Sequence, residues 1–403
     1  MTSQSTLLAR QPILDLKHRA VGYEVLFRSS GGARLGTATP DHATAEVGVQ
    51  ALLDIGLDRL VGSRRAWINI PRGALVSGLW EFFPPDRVVL EMLETIEADE
   101  EVITALRRAR TKGYSIALDD FVLNERTQPL IPFANYVKVD VMAHDEAQLE
   151  RLIHDLRRPK LALLAEKVET YAVSERMRAL GCELFQGYFF AKPKLIHGKR
   201  IPSNRLALLR VVASLQDEHA SLERVEELVH SDVGLSYRLL RYVNSVSVGM
   251  LAPIESLRHA IMALGLERVR ACVMVLLLTS LDQRPDELIT VSLVRARYCQ
   301  LLCEFQGLDA QRGFLVGLMS AIDAFLDRDI ASLIKEMALA DDVARAIVSH
   351  EGELGLVLEA ALACESADWE KLEGSRFLAG QAQAAYLEAL AWSDGIQAGL
   401  SAS

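Results

Sequence analysis

Between residues 21 and 186 the chain alternates short β-rich apolar runs with longer stretches of helical periodicity, and no other feature restricts its fold as much. The expected strands are 21–27, 66–70, 87–92, 115–119, 136–139, 161–165 and 184–185, with helical patterns such as 99–112 and 145–157 between them. Repeated strand and helix units imply a parallel sheet. So many strands within one half of the chain approach a closed β/α barrel, in which reactive groups gather at the C-terminal strand ends. The residues that close each run fit that rule. Trp67-Ile68 leads into Asn69, Val88-Val89-Leu90 into Glu91, and Ile116-Ala117-Leu118 into Asp119-Asp120. Tyr136-Val137 leads into Lys138, Leu163-Leu164-Ala165 into Glu166, and Leu184-Phe185 into Gln186. Any one of these could begin a solvated loop, but their convergence on carboxylates, amides and one lysine points to a site.

A boundary is expected near 190–203, where Lys, Pro and Gly interrupt all apolar periodicity. Beyond it, Leu, Val and Ala recur at helical spacing with few strand signals, which predicts an all-helical second domain. The fold class is therefore α/β plus all-α, with a TIM-like barrel over 1–200 and a helical domain over 201–403. Charge divides along the same line: 1–200 holds 27 Lys+Arg and 26 Asp+Glu, whereas 201–403 holds 17 and 28. An acidic half repels phosphate backbones, so no nucleic-acid polymer is expected as a partner. Five scattered cysteines argue against a disulfide framework and for a reducing compartment. The first eleven residues do not read as a signal peptide, and the apolar stretch 271–281 is far short of the ~20 residues a membrane helix needs. A cytoplasmic protein without a membrane anchor is the expectation.

Carboxylates and amide carbonyls are the ligands of Mg²⁺ or Mn²⁺, and two such ions can clamp water and a phosphodiester together. Glu24, Asn69, Glu91, Asp119 and Asp120 have the right chemistry. Meeting at one rim, they would repel one another strongly unless a cation joined them. Lys138 could neutralise growing negative charge, and Glu166 could take a proton from water.

In order along the chain come Gln11-Pro12-Ile13, Gly22-Tyr23-Glu24-Val25-Leu26-Phe27-Arg28, Asn69 and Glu91-Met92-Leu93-Glu94. Asp119-Asp120-Phe121, Lys138-Val139-Asp140, Ala165-Glu166-Lys167-Val168-Glu169-Thr170 and Gln186-Gly187-Tyr188 follow. Together they resemble the signature blocks of EAL domains, the β/α-barrel phosphodiesterases and receptors of cyclic di-GMP. The resemblance implies that Glu24, Asn69, Glu91, Asp119 and Asp120 are metal ligands and that Lys138 is a partner of the catalytic water. It makes Glu166 the general base, with Glu169 and Gln186 supporting the site and Arg28 holding a ligand phosphate. Taken singly, Arg28 also suits a surface ion pair, Asn69 a turn and Glu94 a solvated helix start.

Three departures from the family pattern stand out. Val25 gives the name-giving motif as Glu-Val-Leu, a change of packing more than of ligation. The loop 122–128, small and Gly-rich in the family, here reads Val-Leu-Asn-Glu-Arg-Thr-Gln; in the family it organises the second metal and couples the site to dimerisation. Lys167 replaces the usual Gly after the base, and an ion pair with Glu166 would lower the basicity of that carboxylate.

In the second half, residues 229–245, with Asn244-Ser245 the most telling pair, and then 253–261 and Leu264-Gly265 resemble an HDOD domain, a non-catalytic signalling and interaction module. No His-Asp metal set accompanies it: His144-Asp145 and His154-Asp155 lie in a helical pattern of the first domain. Cys299 and Cys303 suit packing better than metal binding. The two resemblances together imply a cyclic di-GMP signalling protein whose helical domain contacts a protein partner, with a homodimer open. The altered loop favours a receptor or scaffold with weak or no hydrolysis. An active metal-dependent phosphodiesterase yielding linear pGpG, and a nucleotide-independent adaptor, are the alternatives.

Overall fold

The computed structural model describes residues 6–29, 52, 55–121, 123–192, 285–337 and 339–401. The HDOD-like motifs between Val229 and Gly265, and Val122 of the altered loop, lie outside the described residues. Two compact units are present, Met1–Phe190 with Ala363–Gln383, and Ala191–Leu362 with Ala384–Ser403.

Eight strands close the first unit into a barrel in sequential order: β1 (Thr6–Leu14), β2 (Ala20–Ser29), β3 (Arg65–Ile70), β4 (Val88–Met92), β5 (Ser115–Leu118), β6 (Tyr136–Asp140), β7 (Ala162–Glu166) and β8 (Leu184–Gln186). The sheet is not wholly parallel, as strand and helix alternation alone would have it. β1, which apolar periodicity did not single out, runs antiparallel to both β2 and β8. Its link to β2 is a short turn, and a parallel crossover needs a dozen residues or more. Asp15 shapes that turn by accepting the backbone N–H groups of Lys17 and Arg19. From β2 to β8 every pairing is parallel.

Below the C-terminal mouth sits an apolar layer of Ile13, Trp67, Val89, Ala117 and Leu164, with Tyr136 and Leu184 packed against it. Gly22 completes this layer on β2 by default, since a Cβ there would lie 2.8 Å from the Trp67 indole nitrogen. Truncating a member such as Leu164 to Ala would cost ~2–5 kcal/mol, because a close-packed interior relaxes only partly around a hole.

Local signals set the surrounding helices. Asp99 caps Glu100–Thr111 through the Val102 N–H, and Asp145 with Gln148 forms a capping box on Glu146–Leu156. Asp145 of the His144-Asp145 dipeptide thus serves the helix end. Thr170 caps Tyr171–Leu180, which ends on left-handed Gly181.

In the second unit the helix Asp286–Gln306 packs tightly on Ala310–Met319. Cβ atoms at Gly313 and Gly317 would meet Cys303 Sγ at 2.5 Å and the Arg295 carbonyl at 2.6 Å, so only glycine permits that approach. Cys299 and Cys303 are buried there, and none of the four described cysteines forms a disulfide. No helix among the described residues is long and apolar enough to cross a membrane.

Candidate functional site

Strand alternation builds the site directly on the apolar layer, because side chains two residues apart share a face. Two residues toward the mouth from Trp67, Val89, Ala117, Tyr136, Leu164 and Leu184 stand Asn69, Glu91, Asp119, Lys138, Glu166 and Gln186. On antiparallel β1 the same step from Ile13 runs backwards in sequence to Gln11, and on β2 it runs from Gly22 to Glu24. Register brings the polar residues level, with Gln11 opposite Glu24 and Asn69 opposite Glu91. A single polar layer therefore roofs the core, and Val25 faces away from it, fully buried.

Lys138 stands at the centre. Its ammonium donates to Glu24 Oε2 at 3.2 Å and to Glu91 Oε1, and it forms ion pairs with Asp119, at 2.9 Å, and with Glu166. The Asp119 and Glu166 oxygens face it without hydrogen-bond alignment. One positive charge thus serves four carboxylates. Lys138 is only 2 % exposed. Burial pulls its pKa down, but Glu24, Glu91 and Asp119 more than offset this and hold it well above the ordinary lysine value. Glu91, with no exposure, is pushed well above the usual carboxylate range, first by burial and then by the charge of Glu24. Asp120 is raised as well, by burial and by Asp119.

Amides orient the carboxylates. Asn69 Nδ2 donates to Glu24 Oε1 at 3.1 Å, which turns its own carbonyl oxygen free. Gln186 Nε2 donates to Glu24 Oε2 at 2.6 Å and to Gln11 Oε1 at 3.1 Å. Two triads have carboxylate oxygens within 4.8 Å of one another: Glu24, Glu91 and Glu166, and Asp119, Asp120 and Glu166. Buried oxygens without hydrogen-bond partners remain on Asn69, Glu91 and Asp120. An all-oxygen donor set with orphaned lone pairs fits a hard divalent cation such as Mg²⁺ or Mn²⁺.

Two expected site residues, Glu169 and Arg28, lie outside the buried layer, and Lys167 is placed differently from its expected pairing with Glu166. Glu169 is exposed, in the loop that leads to the Thr170 cap. Arg28, near the end of β2, lies 3.4 Å from Glu373. Lys167 does not pair with Glu166: its ammonium reaches Asp140, and that hydrogen bond holds its pKa up. The reason is backbone geometry, since Lys167 has φ +55° and the left-handed turn swings its side chain out of line with Glu166. The described part of the altered loop is ordered by Asn124, whose Oδ1 accepts from the backbone of Arg126 and Thr127. It borders a cavity of about 120 Å³ together with Glu94, Asp119 and Asp120.

Two contributors were missed as site residues in the sequence. Gln11 escaped because β1 is not apolar enough to read as a strand, although parity with Ile13 would have placed it. Asp140, level with Glu166 in register, was visible two residues beyond Lys138.

The EAL domain model matches residues 79–193, and the HDOD domain model matches 201–347. Similar proteins include the cyclic di-GMP phosphodiesterase CdgJ of Vibrio cholerae serotype O1, 35% identical over 381 residues, covering 92% of this chain and 88% of that protein. The uncharacterized protein YuxH of Bacillus subtilis is 30% identical over 397 residues, covering 96% of this chain and 97% of that one. Among solved structures, Bacillus subtilis YkuI, with an EAL domain and in complex with c-di-GMP and calcium, is 20% identical with a TM-score of 0.38, covering 56% of this chain and 71% of that one.

Proposed function

Because this chain belongs to the family of EAL–HDOD two-domain proteins, we propose that its barrel is a divalent-metal-dependent phosphodiesterase that opens cyclic di-GMP to linear pGpG. The observation that carries this reading is the polar layer itself: both carboxylate triads form, with Lys138 between them, despite the altered loop. CdgJ, similar over nearly the whole chain, supports the choice of substrate and reaction.

In this reading Glu24, Asn69, Glu91, Asp119 and Asp120 would hold the metal. A divalent cation there would supply positive charge to the phosphodiester oxygens and make water more acidic. Glu166 accepts the proton as the water oxygen bonds to phosphorus. The bond from phosphorus to one ribose oxygen breaks, and that oxygen takes up a proton to give the linear product. Lys138 offsets the charge growing on the phosphoryl oxygens, Gln186 and Asn69 keep Glu24 aimed, and Arg28 holds a phosphate near the mouth. Glu169 supports the loop behind Glu166. The EAL-like portion takes in 1–200 and the HDOD-like portion 201–403. The acidic helical portion contacts a protein partner, and described cysteines outside any disulfide suit the cytoplasm.

Turnover of cyclic di-GMP with Mg²⁺ or Mn²⁺, read as pGpG by chromatography, tests the proposal. Glu166→Gln and Glu24→Gln are each expected to lower kcat by ~10²-fold or more. A receptor or scaffold is the second reading, favoured by Lys167 beside the Asp120 triad and by the loop sequence. Calorimetric binding of cyclic di-GMP without any pGpG would replace the first reading with the second, and no binding at all would leave a protein-interaction adaptor.

A further inference from the structure

The segment Ala363–Gln383 belongs to the same compact unit as the barrel. It touches the barrel at three places. Gln383 Oε1 accepts the Leu8 N–H at 2.5 Å, the Tyr188 hydroxyl donates to the Glu365 carbonyl, and a Glu373 oxygen lies 3.4 Å from an Arg28 guanidinium nitrogen. Leu8 is opposite Phe27 in register, Arg28 is one residue short of the end of β2, and Tyr188 follows β8 by two residues. All three contacts therefore fall at the mouth onto which the polar layer opens.

Arg28 follows Glu24 by four residues on one strand and so springs from the same face, nearer the mouth. Its side chain is only 14 % exposed, yet the buried Nε has no hydrogen-bond partner. The contact with Glu373, whose side chain is 45 % exposed, is long and leaves that donor unused. Guanidinium recognises phosphate best through two parallel N–H donors, and a single distant carboxylate does not satisfy it. Glu373 ends the short helix Trp369–Glu373, which Asp368 caps through the Lys371 N–H and Gly374 closes.

We propose that Ala363–Gln383 is an internal clasp: the Glu373 carboxylate sits where a ligand phosphate would meet Arg28, so an entering phosphodiester must displace it. This rests on the reading that the barrel takes cyclic di-GMP, and concerns the control of that same site. A partly exposed ion pair is weak enough to be displaced, and the free Nε gives phosphate an advantage the carboxylate lacks.

The test measures the Kd of cyclic di-GMP, in the presence of Ca²⁺, for the full chain, Glu373→Gln, Arg28→Ala and the double variant. Removing the competing charge is expected to tighten binding about two- to fivefold, the range an exposed pair commands. The gain should vanish in the Arg28→Ala background. Hydrogen exchange across 366–378 should rise when the full chain is saturated with cyclic di-GMP. If the wild-type chain binds but Glu373→Gln binds no tighter, or exchange there is unchanged or slower with ligand, the clasp is overturned while the barrel reading stands. If neither the wild type nor Glu373→Gln binds, both fall together.

Discussion

A buried ammonium facing four carboxylates is stable only as part of its group. Lys138 and the acids around it cannot be removed one at a time without leaving charge uncompensated in a medium that solvates it poorly. Lys138→Ala should therefore lower the stability of the cation-free protein by ~3–5 kcal/mol in urea unfolding, the range for breaking a buried pair. Mn²⁺ should recover part of that loss, a larger stabilisation than it gives the wild type, since the triads Glu24–Glu91–Glu166 and Asp119–Asp120–Glu166 would then depend on it alone. Exposed charge behaves differently. The Asp99 carboxyl is held below its usual range by the Val102 N–H and by Arg72. A depressed folded pKa stabilises the fold above the unfolded value of 3.8, and the contribution is lost as pH falls through the folded value. Asp99→Ala should thus melt below the wild type at neutral pH, and the gap in Tm should close as the pH is brought well under 4.

At the scale of elements, the site depends on how closely neighbouring segments approach. Gly187 follows β8 directly with φ +141°, and a Cβ there would lie 2.2 Å from the Val168 carbonyl oxygen. Gly187→Ala combines a strained backbone with a backbone clash, and shifts Gln186 away from Glu24. A loss of more than ~1–3 kcal/mol is expected from the conformational strain with the clash added. Gly113→Ala, also at positive φ but with nothing within 4 Å, provides the control and should lose less. Urea denaturation of the two variants side by side decides the matter. The altered loop illustrates the converse. It lacks the glycines of the family pattern, but Asn124 supplies a turn through its side chain, where glycine would supply one through its backbone.

For the whole molecule, the barrel's compact unit includes a segment remote in sequence. Trp369, Leu372 and Phe377 of Ala363–Gln383 are buried, and each fully buried large apolar side chain contributes roughly 1.5–3 kcal/mol. A fragment of residues 1–200, the boundary that composition suggests, lacks this segment and its contacts to Leu8, Arg28 and Tyr188. Its thermal midpoint should fall below the barrel transition of the full chain by about 4–8 °C, as expected once about 2 kcal/mol is removed from a domain of this size. Equal midpoints by scanning calorimetry would mean that the segment adds nothing to the barrel.

The alternation of strand and helix, together with the polar residue closing each apolar run, was enough to read a barrel and to mark Asn69, Glu91, Asp119, Lys138, Glu166 and Gln186 at one end of it, while Glu24 was singled out by its carboxylate chemistry and by the resemblance. Period-two side-chain alternation is a local property, so it can be read before folding. Tertiary structure alone decided the antiparallel β1 with Gln11, the pairing of Lys167 with Asp140 rather than Glu166, and the return of residues 363–383 to the mouth. Those outcomes depend on register, backbone handedness and contacts between residues far apart in the chain, for which no local pattern exists.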